Sequence, residues 1–563
     1  MKYIVVSGGV VSGLGKGIVT ASLSLLLKSR GYKVAPTKID MYLNVDAGTI
    51  RPQEHGEVFV THDGVETDED LGHYERFINE NLGRPNYITT GQIYQEVIRR
   101  ERAFEYEGED VEAIPHLTDE IIKRINFSGK SRGADITLVE LGGTVGEYQN
   151  GIFFEATRIM KLKNPSDVIH VHVTYLPLLV NIGELKSKPA QTSVHILNGM
   201  GINPDIIIAR SERPIDEKRL ERLALFCNIE PTKIFSVPDV VSVYDVPFLF
   251  HNQDQHLAST CLRLLHLRTK SHKGLKAWKK MVKCSHSKKQ SQVKIAMVGK
   301  YFVTGNYKLS DSYVSVIESL KHAGCFLGVN TQVEWIDSED LEKGKVNLPG
   351  CDGIIVPQGW GKRGIEGKLI AAKYARENNI PYLGLCFGMQ MAVIEFARSV
   401  LGFKNANTTE ADPNTKYPVI HIMPDQQKYL SLHQYGGTIR LGAWPCIVKK
   451  GTLLEKAYRD FGKVPRASWF MPRNAESRIS GLKSLVIYER HRHRYEFNNK
   501  YKSVFERKGF IVSGTSPDGK LVEAMELATH KFFVGTQFHP EYISRPLTPH
   551  PLIISFLKAV VSK

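Results

Sequence analysis

Paired cysteines are missing from this chain. Seven cysteines are scattered over 563 residues with no C-x-x-C spacing. That argues against a disulfide scaffold or a structural zinc site and fits a reducing, cytoplasmic setting. No apolar run approaches the ~20 residues of a membrane span. The opening stretch from Met1 to Gly9 breaks into glycines too soon for a secretory leader. Internal repeats, an RNP-like signature and basic–aromatic patterns are lacking too, so the net charge of +15 is no strong sign of nucleic-acid binding. Much of that charge sits between Lys270 and Lys289, where there is no acidic residue at all. This reads as a solvated connector. Its Leu275, Trp278 and Val282 recur at helical spacing and predict a short docked helix.

Hydrophobic content of 42% supports substantial cores. Apolar strands at Tyr3–Ser7, Val34–Ile39, Asp135–Glu140, Val168–Val173 and Asp205–Ala209 alternate with amphipathic helical stretches such as Gly17–Arg30. A second series follows, with strands at Lys294–Gly299, Gly353–Pro357 and Tyr382–Leu385 and a helix at Ser310–Ala323. Such alternation predicts α/β architecture: two doubly wound domains with parallel sheets, 1–269 and 293–563, joined by the basic linker 270–292.

Val6 to Gly17 joins the first strand to the first helix. It carries glycines and Lys16 where a phosphate would meet backbone N–H groups, a helix dipole and a full charge. The spacing from Gly9 to Gly15 is one residue longer than a strict P-loop, and Gly17 replaces its hydroxyl residue. Ser12 or Thr20 could supply the oxygen instead. Nucleotide phosphates bring magnesium, which takes one or two carboxylates plus waters. Glu140, at a strand end before Leu141-Gly-Gly-Thr-Val-Gly146, is one candidate, and Asp70 is the natural second.

Cys386 lies at a sharp strand-to-helix turn in Pro381-Tyr-Leu-Gly-Leu-Cys-Phe-Gly-Met-Gln390. This is a nucleophile elbow with sulfur in place of oxygen. The helix N-terminus favours a thiolate and offers N–H groups to an oxyanion. Gln537-Phe-His-Pro-Glu541 supplies His539 as a base and Glu541 as its orienter, both expected to point the same way along a strand. Pro357-Gln-Gly-Trp-Gly361 is a strand-end turn able to give a second oxyanion donor.

With these residues in hand, the chain resembles the CTP synthase family over almost its whole length: an amidoligase half and a class I glutamine amidotransferase half. The likeness rests on Ser12–Gly17, Tyr42–Asp46, His55–Phe59, Asp70–Phe77, Val139–Gly146, Lys186–Gln191, Asn405–Asn407 with Glu410, Glu489–Glu496 and the thiol site. It implies ATP-dependent phosphorylation of the 4-oxygen of UTP and displacement of that phosphate by ammonia. The ammonia comes from glutamine through an internal channel. GTP activates and CTP inhibits, and the enzyme assembles as a homotetramer and into filaments. The same resemblance implies that Ser12, Gly13, Leu14, Gly15, Lys16, Gly17, Lys38 and Asp70 bind ATP, and that Asp70 and Glu140 bind Mg2+. Ser12, Glu147, Lys186, Lys188, Gln191 and Arg222 are implied to bind UTP or CTP. Gly359, Gln390, Glu410 and Arg494 are implied to meet glutamine, and the loop from Trp360 to Gly367 to respond to GTP.

The chain departs from the family pattern in four places. Arg222 stands where a lysine is usual. Gln358 replaces a glycine and would strain the turn if its φ were positive. The stretch of about 459–484 reads as a surface insertion, and the connector is unusually basic. Two other readings are an amidoligase for a cobyrinate-like acid, which Lys186–Gln191 argues against, and a nucleotide-sensing assembly protein of little activity.

Overall fold

The computed structural model describes residues 1–179, 181, 183–251, 256–271, 274–286, 291–301, 303–304, 307–308, 311–348, 350–432, 434–461 and 484–562. The expected insertion falls largely on 462–483, outside the described residues. The chain forms two compact units whose division does not follow the sequence. One holds 1–46, 73–78 and 82–276, and the other holds 47–72, 79–81 and 277–563.

In the first unit seven strands form one sheet. They are β1 (Lys2–Gly8), β2 (Val34–Asp40), β3 (Tyr87–Thr89), β4 (Ile136–Leu141), β5 (Val168–Tyr175), β6 (Ile206–Ser211) and β7 (Ile234–Pro238). Their order is β7-β6-β5-β1-β4-β2-β3 and every pairing is parallel. Strands buried on both faces need apolar residues at consecutive positions, which explains runs such as Ile4-Val-Val6. The chain reverses its direction of winding at β1, so the C-terminal ends of β1 and β4 open on the crevice where α/β sheets bind ligands. Helix α1 (Lys16–Ser29) follows β1 and begins at Gly15, whose φ of 81° suits glycine.

The second unit is built on nine strands: β8 (Ser291–Gly299), β9 (Val329–Asp337), β10 (Gly353–Val356), β11 (Tyr382–Leu385), β12 (Arg440–Val448), β13 (Leu485–His493), β14 (Phe510–Thr515), β15 (Val522–Leu527) and β16 (Phe533–Thr536). The order is β9-β8-β10-β11-β16-β15-β14-β12-β13. It is parallel from β9 to β16 and antiparallel from there on, so this sheet is mixed rather than wholly parallel. Residues of Ile365–Glu377 and Phe387–Ser399 pack one core, and those of Val314–Leu327 and Pro551–Val561 pack another. The linker helix is present at Lys276–Ser285, with Trp278, Met281 and Val282 buried. No helix among the described residues is long and apolar enough to cross a membrane.

Segment 47–72 is held to the second unit by buried polar contacts. Arg492 Nε donates to Glu66 Oε1 at 2.8 Å, Arg490 Nη1 to the Val60 carbonyl at 2.9 Å, and Tyr542 Oη to the Val58 carbonyl at 3.0 Å. Strand alternation explains this in Arg490-His-Arg-His493. Arg490 and Arg492 turn to one face while His491 and His493 turn to the other, towards Arg440 and Glu523.

Candidate active sites

The parallel pairing of β2 with β4 sets Lys38 beside Glu140 in register. The Lys38 ammonium lies 3.6 Å from Glu140 Oε1 and 3.4 Å from Asp40 Oδ1, and all three groups are buried. Tyr74 donates its hydroxyl proton to Glu140 Oε2. Lys16 folds back over Gly8 and its ammonium donates to the Gly143 carbonyl at 2.6 Å, while Val145 N donates to the Gly8 carbonyl at 2.9 Å. The β1 loop and the Gly142–Thr144 turn are thereby joined. Ser12 is exposed on this loop. Thr20 is fully buried in α1, which leaves Ser12 as the hydroxyl at the loop surface. Asp40 is a candidate that sequence reasoning missed; its one signal is an acid at the C-terminal end of a buried strand.

Glu147 accepts the backbone N–H of Thr144 at 2.9 Å and its hydroxyl at 2.6 Å, so it holds its own turn. Lys186 pairs with Glu184 at 3.0 Å just before the helix Lys188–Gly199. Lys188 opens that helix. Gln191 is buried, and its Oε1 has no partner among the described residues. Arg222 is exposed on the helix Glu217–Phe226. Asp70 begins the helix Asp70–Ile78, and its backbone N–H is held by Asp68 Oδ1 at 2.9 Å.

The thiol site grows from β11. Cys386 takes φ 52° and ψ −100° between β11 and the helix Phe387–Ser399. A side chain in that region is strained and persists only where the surroundings hold it. Here Cys386 N donates to the Thr536 carbonyl at 2.6 Å. The turn also needs Gly388, because a Cβ there would stand 1.9 Å from the Val356 carbonyl oxygen. The helix start leaves the Phe387 N–H without an intrahelical acceptor.

His539 and Glu541 do not lie along one strand as expected. β16 ends at Thr536, and Pro540 starts a short 3-10 turn, Pro540–Ile543, that contains Glu541. The turn still closes the pair: His539 Nδ1 and Glu541 Oε1 are 2.7 Å apart and both residues are buried. Burial opposes the imidazolium, but Glu541 and the Cys386 sulfur overcome it and push His539 up to about 10.

The turn at 357–363 is braced by buried side chains at several backbone atoms. Buried Lys300 donates to the carbonyls of Trp360, of Gly361 at 3.2 Å and of Arg363 at 3.2 Å. Lys368, also buried, donates to the Pro357 carbonyl at 3.0 Å. Tyr313 Oη meets the Gln358 carbonyl at 3.3 Å, Tyr301 Oη accepts Trp360 N at 3.1 Å, and Glu410 Oε1 accepts Gly361 N at 2.6 Å. The Gly359 N–H is left without an acceptor among the described residues. A Cβ on Gly359 would come within 2.9 Å of Lys300 Cε. Burial lowers Lys300 to about 8 against the pull of Glu410. Burial likewise raises Glu410 above the usual carboxyl range. Gln358 does not adopt a positive φ, so the strain considered for this substitution does not arise. Its Nε2 donates to Glu57 Oε1 at 3.3 Å. Lys300 and Lys368 escaped sequence reasoning because a buried lysine looks like any surface lysine in a string of letters.

Gln390 Nε2 donates to the Tyr495 carbonyl at 2.9 Å and to Gln537 Oε1 at 3.2 Å. Arg494 Nη2 donates to Thr438 Oγ1 at 2.9 Å, while its buried Nη1 has no partner among the described residues. A cavity of about 400 Å³ lies against Lys362–Glu366, within the expected Trp360–Gly367 stretch, and is lined also by Glu339, Lys343 and Asn407 among others.

A glycine-rich strand-to-helix loop bearing Lys16 on one α/β unit, and a strained Cys386 turn with a His539–Glu541 pair on another, are the features expected of a class, the ligases that draw nitrogen from glutamine. Comparison narrows it. Residues 2–267 match the family described as CTP synthase N-terminus, and 308–559 match glutamine amidotransferase class-I. A CTP synthase of Caldanaerobacter subterraneus subsp. tengcongensis is 47% identical, with 100% of this chain and 98% of that protein covered. One of Sulfurisphaera tokodaii is 48% identical, with 99% of each covered. A solved glutaminase domain of Trypanosoma brucei CTPS with bound acivicin is 36% identical, with 48% of this chain and 94% of that one covered and a TM-score of 0.40. The chain belongs to the CTP synthase family and is a glutamine-dependent ligase.

Proposed function

We propose that the chain converts UTP to CTP with ATP and glutamine. The observation that carries this reading is the hydrogen-bonded His539–Glu541 pair beside Cys386, in one chain with the Lys16 phosphate loop. The Cys386 thiolate attacks the glutamine carboxamide carbon. The oxyanion settles on the Gly359 and Phe387 N–H groups. The C–N bond then breaks, and ammonia leaves with a proton from His539. Water, deprotonated by His539, cleaves the thioester to glutamate. The free Nη1 of Arg494 suits the substrate carboxylate. Gln390 and Glu410 line the same site, although Gln390 Nε2 and Glu410 Oε1 are already engaged within the protein.

At the other site the loop Ser12–Gly17 with Lys38 and Asp70 binds ATP. The triphosphate of UTP, or of inhibitory CTP, meets Lys186, Lys188 and Gln191, with Ser12, Glu147 and Arg222 at its edge. The γ-phosphoryl passes to the 4-oxygen of UTP, and ammonia carried internally from the thiol site displaces it as phosphate. Asp70 and Glu140 would hold Mg2+, which neutralises phosphate charge when bound. Their hard carboxylates fit that ion. GTP, acting at the charged cavity by Trp360–Gly367, activates. The enzyme works in the cytoplasm as a homotetramer able to form filaments.

CTP formation from UTP and ATP tests this, with glutamine or ammonia, each with and without GTP. Cys386→Ala should abolish glutamine-driven synthesis and spare ammonia-driven synthesis. Absence of CTP under all conditions refutes the reading.

A further inference from the structure

We propose that Gln537 is a further catalytic residue, donating its side-chain N–H to the Cys386 sulfur and stabilising the thiolate on which hydrolysis depends. This rests on the reading of Cys386 as the nucleophile. Gln537 Nε2 lies 3.4 Å from Cys386 Sγ, and Gln537 is fully buried.

The orientation of the amide follows from its neighbours. A backbone carbonyl can only accept, so the Tyr495 carbonyl 2.9 Å from Gln390 fixes the end of Gln390 that carries the N–H groups. That same nitrogen lies 3.2 Å from Gln537, which must therefore present its oxygen there. The Gln537 nitrogen is left to face the sulfur. Its backbone is pinned as well, with its N–H donating to the Glu523 carbonyl at 2.8 Å. The chain Tyr495–Gln390–Gln537–Cys386 thus reads in one direction and ends on the reacting atom.

The donor matters because the other close backbone group opposes it. The Arg492 carbonyl oxygen lies 3.7 Å from Cys386 Sγ and accepts from the neutral S–H. Once the proton is lost, that oxygen faces a negative sulfur and repels it. A donor that needs no reorganisation favours the charged form. Gln537 provides this from the side opposite in character to Arg492, and it does so whether His539 is charged or not. When the thiolate attacks and its charge moves to the carbonyl oxygen, the Gln537 contact weakens. It strengthens again when the thioester is cleaved and sulfur leaves as thiolate, a step the same N–H assists.

The test uses the full-length protein and iodoacetamide, with alkylation of the Cys386 peptide followed by mass spectrometry because six other cysteines are present. Gln537→Glu keeps shape and removes the donor, and Gln537→Met removes both polar atoms. In both, alkylation of Cys386 at pH 7 should fall about tenfold and recover as pH rises, a shift of roughly one pH unit in the profile. Glutaminase kcat should fall more than KM changes. Ammonia-driven synthesis should hold within about threefold, which certifies the fold. Alkylation profiles that coincide with the unsubstituted protein in a folded variant overturn the proposal. A shifted profile in a protein that forms no CTP would sink the proposed overall reaction and leave the role of Gln537 standing. If Gln537→Met does not fold, the isosteric Gln537→Glu decides by the same profile.

Discussion

Glu541→Gln isolates the charge that holds the His539 imidazolium. The amide keeps an oxygen at the position 2.7 Å from His539 Nδ1, so the ring stays oriented while the negative charge goes. Raising His539 from its usual 6.5 to about 10 corresponds to a preference of roughly 5 kcal/mol for the charged ring. Two partners supply it, Glu541 and Cys386. Assigning about half to Glu541 gives roughly 2–3 kcal/mol, or ~100-fold in the equilibrium between the thiolate–imidazolium pair and the neutral thiol–imidazole pair. Glutaminase kcat should fall by about that factor, with ammonia-driven synthesis intact. The assay is glutamate release between pH 6 and 10, with ammonia-driven CTP formation as control. The sign for stability follows from the same shift. A histidine raised in the folded state adds stability that is fully present below 6.5 and is lost as pH rises through about 10. The advantage of the native protein over Glu541→Gln in thermal unfolding should shrink over that window. Glutamine hydrolysis by Glu541→Gln within threefold of the unsubstituted enzyme at pH 7.5 would refute the reasoning.

The brace on the 357–363 turn gives a second expectation. Lys300→Met removes the ammonium from three carbonyls and should cost glutaminase on the order of 10–100-fold in kcat. The native enzyme should lose glutaminase activity above about pH 8, where Lys300 sheds its proton, and the variant should lack that limb in its pH–rate profile. Gly388→Ala sets a Cβ against the Val356 carbonyl at 1.9 Å. It should abolish glutamine hydrolysis and lower Tm, both readable on purified protein. Gln358→Gly should leave glutaminase kcat within about threefold, since position 358 has no positive φ to relieve. It should cost about 1 kcal/mol in denaturant unfolding, for one buried hydrogen bond to Glu57.

Features that depend on neighbours in sequence were legible in the letters. The strand at β1, the glycine-rich loop with Lys16, the sharp turn at Cys386 and the linker helix around Trp278 are set by local period, glycine placement and helix termini. The contact between His539 and Glu541 was legible too, because His539-Pro-Glu541 closes on itself within three residues. Tertiary structure decided what long-range pairing controls. The β2–β4 register seated Lys38 and Asp40 by Glu140. The fold drew 47–72 into the second unit, aimed Gln537 at the sulfur and buried Lys300 under the 357–363 turn. It also moved Glu541 off the strand and onto a 3-10 turn. Register and burial are properties of two segments packed together, so neither leaves a mark on either segment alone.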